Sequence, residues 1–199
     1  MTQHLTPVGR RPANRGPKAA AGNRAALVDA AREIFTADGL DAPLSRIARR
    51  AGVGQGVLYR HFPDRHAIAA AVLEENVRQI EQAAAARGAR LDTVLGVLTW
   101  HLTQSAAFIG LLHADGANGG PSVAAFARDL SERVERALRG CLRDGHRLGA
   151  PERPDDLMLA VAMVSGAVTG PTREERARRA LAAWRLLGVT VGPVRPFEG

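Results

Sequence analysis

The sequence has one cysteine, few aromatic side chains and no long apolar run, and these shortages exclude several classes of protein. Cys141 is the only cysteine in 199 residues, and aromatic residues make up 4%. One cysteine forms no internal disulfide, and without cysteine partners we expect no zinc or iron–sulfur site. The longest apolar stretch, 157–168, falls short of the roughly 18–20 residues that span a bilayer. No signal peptide is recognisable in the first 25 residues, so we expect a cytoplasmic protein without membrane contact, metal or cofactor.

Acidic residues are missing from the first 24 residues, which hold +5 of the net charge of +7. The basic residues of this segment are Arg10, Arg11, Arg15, Lys18 and Arg24. Proline and glycine recur there without apolar periodicity, which predicts a disordered basic arm over 1–22. Such an arm contacts phosphates or enters the minor groove of DNA, or it is an inert tail. The arginine excess of the whole chain fits codon usage as well as phosphate binding.

Strand-type alternation is also lacking, and apolar residues recur at helical spacing almost throughout the chain. The pattern predicts an all-α protein of about nine helices. Gly39, Gly52 and Gly188 are placed to end helices, Asp64 to cap one and Pro121 to begin one. The predicted helices cover about 24–38, 44–51, 55–61, 65–88, 90–107, 106–113, 121–143, 155–168 and 173–187.

Two short helices joined by a glycine turn, within 44–62, form the sharpest local pattern. Ala48 is small enough for the helices to cross closely, Val53 fills the corner, and Leu58 and Phe62 anchor the second helix. These features are typical of a helix–turn–helix, whose second helix lies in the major groove of DNA. An αα-hairpin with a basic surface has the same spacing, and the spacing alone leaves that alternative open.

The second helix leaves a mainly polar face to solvent. A glutamine reads adenine through two hydrogen bonds, an arginine reads guanine or binds phosphate, and a tyrosine hydroxyl donates to phosphate. This face consists of Gln55, Gly56, Val57, Tyr59 and Arg60.

Four stretches of 23–77 resemble the TetR/AcrR family of bacterial transcriptional regulators. They are Ala30-Ala31-Arg32-Glu33-Ile34-Phe35, Asp38-Gly39-Leu40, Ile47-Ala48-Arg49-Arg50-Ala51-Gly52-Val53 and Gly56-Val57-Leu58-Tyr59-Arg60-His61-Phe62-Pro63-Asp64-Arg65. The resemblance implies a three-helix DNA-binding domain containing the helix–turn–helix, at 23–66. It further implies a helical domain for effector binding and dimerisation, at 67–199.

The resemblance also implies roles for individual residues. Tyr59 and His61 would hold backbone phosphates, and Arg65 stands where the family usually has a phosphate-binding lysine. Gln55 and Arg60 are the expected base readers. The complete predicted set of DNA-binding residues is Ser45, Arg46, Gln55, Gly56, Val57, Tyr59, Arg60, His61 and Arg65.

Three positions depart from the family pattern. Pro43 and Gly54 replace the usual Ser or Thr caps. As a cap, Gly54 is weaker than Ser or Thr by a few tenths of a kcal/mol. Val57 replaces a common Thr or Ser, which removes a hydroxyl–phosphate contact and allows a contact with a thymine methyl group. These changes weaken single contacts and leave the assignment in place.

The helix predicted at 155–168 is apolar on nearly every face and must be covered on every face. The resemblance implies that the last two helices pack against those of a second copy as a four-helix bundle, whereas core helices of a monomer are the alternative. A two-fold dimer predicts a palindromic operator, with recognition helices about 34–36 Å apart. The predicted dimer interface contains Met158, Val161, Ser165, Leu181, Trp184 and Leu187.

A small-molecule effector, unidentified by the sequence, is a further implication of the resemblance. One face of the helix at 90–107 mixes apolar and polar side chains, as ligand cavities do. Each of these side chains, taken singly, is more often plain core or surface. The predicted ligand-binding residues are Trp100, His101, Gln104, Phe108, Phe126, Leu130 and Met163.

No catalytic arrangement is recognisable in the sequence. Cysteine, histidine and carboxylate residues do not recur at metal-ligand spacing, and the glycine-rich stretch 116–120 lacks the Lys-Ser/Thr of a phosphate-binding loop. We predict a homodimeric repressor, not an enzyme, that leaves a double-stranded DNA operator when its effector binds. Two alternatives are an effector-independent DNA-binding protein and a helical small-molecule-binding protein or enzyme that no longer binds DNA.

Overall fold

The computed structural model describes residues 17–105, 121–143 and 154–198, and every regular element in these ranges is an α-helix. The predicted helix at 106–113 lies outside the described residues. None of the described helices is long and apolar enough to cross a membrane. The helices are α1 (Pro17–Asp38), α2 (Leu44–Arg50), α3 (Gln55–His61), α4 (Arg65–Ala85), α5 (Leu91–Gln104), α6 (Pro121–Arg143), α7 (Pro154–Ala167) and α8 (Arg173–Leu186).

The first helix begins earlier than predicted. It starts at Pro17, inside the segment 1–22 that the sequence pattern assigned to a disordered arm. Proline suits the first helical position because its missing N–H has no partner there in any helix. The following Lys18 and the alanines at 19–21 are strong helix formers. The prediction of an arm over 17–22 was therefore wrong, and residues 1–16 lie outside the described ranges.

Single residues of the sequence predicted several other helix ends correctly. Gly39 and Gly52 adopt φ angles of +80° and +69°, the left-handed conformation expected of residues that end helices. The carboxylate of Asp64 accepts a hydrogen bond of 2.8 Å from the backbone N–H of Ala67, which caps α4 as predicted. Pro121 begins α6, as its position suggested.

Helix α4 lies at the centre of the structure and connects its two halves. It packs against α1 on one side and against α5 and α6 on the other. The buried residues of α4 include Ile68 and Val72 near α1 to α3, and Val77 and Ile80 farther along. A change in the position of α4 therefore acts on both ends of the molecule.

The last helix and the tail after it are fixed to α5. Arg176 of α8 is buried and donates a hydrogen bond of 2.8 Å from Nε to the carbonyl oxygen of Thr103. Farther along, Val189 is buried, and the N–H of Gly192 donates to the carbonyl oxygen of Asp92 at 2.8 Å. The tail thus covers the beginning of α5.

Candidate functional site

Helices α2 and α3 meet at a tight turn with an apolar interior. The side chains of Ile47 and Ala48 are buried on α2, and Leu58 is buried on α3. The N–H of Val53 donates to the carbonyl oxygen of Ala48 at 3.0 Å across the turn, where Gly52 adopts its positive φ angle. The residue directly after α3, at position 62, is also buried, so the helix is anchored at its middle and at its C-terminal end.

The opposite face of α3 is open to solvent. Gln55, Gly56 and Arg60 are exposed, and Tyr59 is 53% exposed although it is a large aromatic residue. Val57 and His61 are half-buried at the margins of this face. Arg60 rests against its own helix, with Nε donating to the carbonyl oxygen of Gly56 at 3.3 Å. The structure thus places the side chains predicted to read bases on one accessible surface.

The remaining predicted DNA-binding residues flank α3. Ser45 is exposed at the start of α2. Arg46 forms an ion pair of 2.9 Å with Asp38. Arg65, in the first turn of α4, donates from Nη1 to the carbonyl oxygen of Ala42 at 2.8 Å. Because a guanidinium carries five N–H donors, Arg65 retains donors for a phosphate.

A cavity of about 280 Å³ lies in the second half of the molecule, between α4, α5, α6 and α7. This volume is close to the lower end of the range of small-molecule sites. Most of its lining is apolar, and no Asp, Glu, Lys or Arg is among the described lining residues. The lining residues are Leu73, Asn76, Val77, Ile80, Leu98, His101, Leu102, Ser105, Ala127, Leu130, Ser131, Val134, Met158, Val161, Ala162 and Ser165.

The structure brings together only some of the predicted ligand-binding residues. His101 and Leu130 line the cavity. Trp100 and Gln104 lie on α5 but outside the lining, and Phe126 packs against the core. Of the predicted set, one position on α5 and one on α6 thus line the cavity.

Met163 corrects the sequence-based expectation, since it is 53% exposed on the outer side of α7. Met158, four residues before Ala162 on the same helix, lines the cavity in its place. Phe108 lies outside the described residues. Polar residues at positions 76, 105 and 131 also line the cavity, and no motif in the sequence marks them.

One cavity residue is bonded directly to the DNA-binding half. Asn76 Oδ1 accepts hydrogen bonds from Nε and Nη2 of Arg32 in α1, at 3.3 and 3.2 Å. Asn76 Nδ2 donates to Ser105 Oγ at 2.8 Å. The hydroxyl of Thr36 in α1 donates to the carbonyl oxygen of Gln104 at 2.8 Å. The wall of the cavity and the helix that supports α2 and α3 therefore share a hydrogen-bond network.

Five of the six predicted dimer residues fall into three groups. Met158, Val161 and Ser165 line the cavity within the chain. Leu187 packs against the core. Leu181 remains 37% exposed on α8.

Trp184 was wrongly assigned to the dimer interface. It is only 1% exposed, and its indole N–H donates to the hydroxyl of Thr99 at 2.9 Å. A side chain already buried within one chain has almost no surface left to bury against a second copy. The large apolar side chains that α7 and α8 do expose are Leu159, Met163, Leu181 and Leu186.

Comparisons with known proteins agree with this arrangement. A family model described as "Bacterial regulatory proteins, tetR family" matches residues 27–72, which include α2 and α3. The HTH-type transcriptional regulator SrpR of Pseudomonas putida is 28% identical over 153 residues, which cover 74% of this chain and 72% of SrpR. The uncharacterized regulator TtgW, also of Pseudomonas putida, is 42% identical over 59 residues, 29% of this chain and 44% of TtgW. The match thus spans most of SrpR but under half of TtgW.

Solved structures share the fold over most of the chain. A TetR transcriptional regulator from Streptomyces coelicolor matches with a TM-score of 0.58 and 25% identity, covering 84% of this chain and 99% of that one. The regulatory protein TetR from Rhodobacter sphaeroides gives a TM-score of 0.58 at 21% identity, over 83% of this chain and 97% of the other. The second match shows the fold alone. Together they confirm the all-α architecture with an N-terminal helix–turn–helix.

Proposed function

Since this chain belongs to the TetR/AcrR family of bacterial transcriptional regulators, and is thus a DNA-binding regulator rather than an enzyme, we propose that it is a ligand-released repressor. In this proposal two copies bind a palindromic operator, and a small molecule in the cavity lowers their affinity for it. The observation that carries the proposal is the bond between Asn76 of the cavity wall and Arg32 of α1. It joins a ligand-sized cavity to the helix that supports the DNA-binding surface.

The proposed division of labour follows the two halves of the chain. Residues 23–66 bind DNA, with α3 in the major groove. Gln55 and Arg60 read bases there, and Tyr59 and His61 hold phosphates on either side. Residues 67–199 bind the ligand and the second copy. Contacts with the DNA backbone at the margins are assigned to Ser45, Arg46 and Arg65. Close approach to the bases is assigned to Gly56 and Val57.

Exposed apolar side chains support the dimer. Leu159 and Met163 are four residues apart on α7, so they lie on one face, away from the cavity. Leu186 of α8 is 89% exposed. Exposed apolar surface of this kind on two neighbouring helices is typical of an interface between protein chains. A second copy is the proposed occupant, and the two-fold symmetry of such a dimer is the reason why the proposed operator is palindromic.

Release of DNA is proposed to follow from a shift between two positions of α4. The ligand favours the state in which it makes better contacts, and only this difference in affinity moves the equilibrium. Residues 73, 76, 77 and 80 of α4 line the cavity, and the first turn of α4 holds Arg65 beside Ala42. A displacement of α4 by the ligand therefore changes the separation of the two α3 helices in the dimer.

The DNA-binding part of this proposal is tested by competition with duplex fragments. Purified protein is mixed with a labelled fragment from upstream of its own gene, at moderate salt, and unlabelled competitors are added. The proposal expects genomic fragments that compete far better than random duplex, because base contacts add to the phosphate contacts. If no genomic fragment outcompetes random duplex, the repressor proposal is wrong.

A further inference from the structure

His101 is a buried polar residue whose hydrogen-bonding capacity is unused within the described part of the chain. The side chain is only 3% exposed and lines the cavity from α5. Neither Nδ1 nor Nε2 has a hydrogen-bond partner among the described residues. Its ring stands nearly perpendicular to that of Trp100, with ring centroids 4.8 Å apart. Buried polar groups in proteins are almost always paired, so such a side chain in a cavity wall indicates a ligand group.

The other polar groups around the cavity are mostly occupied. Asn76 is bonded to Arg32 and Ser105, as described above. The hydroxyl of Ser131 donates to the carbonyl oxygen of Ala127 at 3.0 Å. The serine at position 165 is half-buried on the facing helix α7. The remaining described lining is apolar, so His101 is the principal position at which the cavity can fix the orientation of a ligand.

The surroundings of His101 keep the imidazole neutral. Burial lowers the pKa of His101 to about 3, and the positive charge of Arg32 acts in the same direction, while Glu75 opposes both. At physiological pH the ring therefore offers one N–H donor and one bare nitrogen acceptor. With no charged side chain among the described lining residues, an ionic ligand would lose its hydration without gaining a counter-charge.

We propose that the cavity takes a neutral, mainly apolar molecule that carries a hydroxyl group, and that this hydroxyl hydrogen-bonds to His101. A hydroxyl both donates and accepts, so it pairs with either ring nitrogen, whereas a carbonyl only accepts. The cavity has a volume of about 280 Å³. That space suits one ring with a short alkyl chain. This ligand class rests on the proposed function of the cavity as the effector site.

Three probes of matched shape test this class. Propylbenzene, 4-propylphenol and 4-propylbenzoate differ only in the group at one end, and calorimetry measures their binding to the full-length protein. We expect 4-propylphenol to bind at least about tenfold tighter than propylbenzene, because of these two only the phenol forms a hydrogen bond with His101. We expect 4-propylbenzoate to bind most weakly. Equal affinities for the phenol and propylbenzene, tightest binding of the benzoate, or no binding of any probe would overturn the proposal.

Two variants assign the effect to His101. In His101→Leu, 4-propylphenol should lose its advantage while propylbenzene binds at least as well as before. In His101→Gln, whose amide keeps a donor and an acceptor, part of the preference for the phenol should return. Circular dichroism tests whether each variant is folded. If His101→Leu does not fold, the order of affinities that His101→Gln shows for the three probes decides whether His101 binds the hydroxyl. A preference for the phenol that survives in folded His101→Leu contradicts the proposal.

DNA release is measured separately, by the fluorescence anisotropy of a labelled fragment from upstream of the gene. If 4-propylphenol binds through His101 but the protein stays on this fragment, the ligand class stands and the proposal of ligand-induced release fails. If propylbenzene releases the fragment as readily as 4-propylphenol does, release stands and the ligand class fails. The two proposals are thus distinguished by one set of measurements.

Discussion

At the scale of single residues, the exposed face of α3 contains two kinds of side chain. One kind is suited to reading base edges, and the other is suited to binding the DNA backbone. Gln55 and Tyr59 lie on the same seven-residue helix and are both exposed. An amide is suited to a base edge, whereas a phenol hydroxyl is suited to a phosphate. Substituting each one should therefore have a different signature in DNA binding.

We predict that Gln55→Ala relaxes the preference at one base pair of each operator half-site. The expected cost is about 1–3 kcal/mol for the preferred base and little for the others, because one bidentate contact is lost. Tyr59→Phe is the matched control and should weaken binding about equally for all sequences. Affinities are measured by anisotropy on operators with single base changes. An equal loss on every sequence for Gln55→Ala would show that Gln55 does not read a base.

The residues that sequence reasoning placed correctly are those whose role is local. Gly39 and Gly52 need a positive φ angle, and Asp64 needs only a backbone N–H three positions ahead. Each requirement is met within a few positions along the chain. Trp184 shows the opposite case, because its partner Thr99 is 85 positions away in sequence and only the packing of α8 on α5 brings them together.

At the scale of helices, α7 explains why the cavity was only partly predictable. Its residues are apolar on nearly every face, so the sequence contains no phase that separates the side facing the cavity from the side facing solvent. Both Met158 and Met163 are methionines on this helix, yet Met158 lines the cavity and Met163 is exposed. On α5, the face that mixes apolar and polar side chains led to positions 100 and 104, whereas Leu98 and Leu102 line the cavity beside His101.

The contact between α5 and the C-terminal tail is close enough to require a glycine. A β-carbon built on Gly96 would overlap the carbonyl oxygen of Pro193. We predict that Gly96→Ala lowers the free energy of unfolding by about 1–3 kcal/mol, because backbone must move to admit the methyl group. Urea unfolding followed by circular dichroism measures the change.

Gly140→Ala on α6 is the matched control for this substitution. Apart from its chain neighbours and the backbone of its own helix, a β-carbon there would have no atom of the described residues within 4 Å. Alanine is the better helix former, so this variant should gain up to about 1 kcal/mol. Equal effects of the two substitutions would contradict the close approach of the tail to α5.

An ion-pair cluster joins α6 to α4. Nε and Nη2 of Arg133 donate to the carboxylate of Glu81, each at 2.8 Å, and Nη1 donates to Glu74. The hydrogen bonds from Arg133 hold the pKa of Glu81 below its usual value, against the opposing effect of burial. A lowered pKa in the folded state means that the stabilisation is present above about pH 4.3, the ordinary value. It is lost as the pH falls through the lower folded value.

We predict that Arg133→Met flattens the loss of stability between about pH 5 and pH 3. The difference from wild type at neutral pH should stay below about 1 kcal/mol, because both carboxylates of the cluster are partly exposed to solvent. Arg128→Met, an exposed change on the same helix, is the control and should keep the wild-type slope. Free energies of unfolding are measured across this pH range. An unchanged slope in Arg133→Met would show that the cluster does not contribute.

At the scale of the whole molecule, the proposed function depends on two copies acting together. The fold class followed from periodicity, and the DNA-binding half followed from local motifs together with the family resemblance that they carry. The proposed interface did not follow in this way, because several residues assigned to it from the sequence lie inside the chain, whereas Leu159, Met163 and Leu186 are exposed. Which apolar face is buried within a chain is decided by tertiary packing, and only the faces left over are available to a partner.

We predict that Met163→Glu converts a dimer into a monomer and weakens operator binding at least about a hundredfold. Two buried carboxylates at the centre of a symmetric interface would oppose association. A monomer would then bind one half-site without the gain in affinity that comes from binding two linked half-sites. Gln82→Glu adds the same charge at an exposed position of α4 and should change neither property. Analytical ultracentrifugation gives the mass in solution. A dimer that persists in Met163→Glu would place the interface elsewhere.

In the proposed dimer, two α3 helices read one operator in successive major grooves. Selection of bound sequences from a random duplex library with the purified full-length protein tests this arrangement. We predict enrichment of a palindrome whose half-site centres lie about one helical turn, or about 34–36 Å, apart. Enrichment of no sequence, or of a single half-site without its symmetric mate, would contradict it.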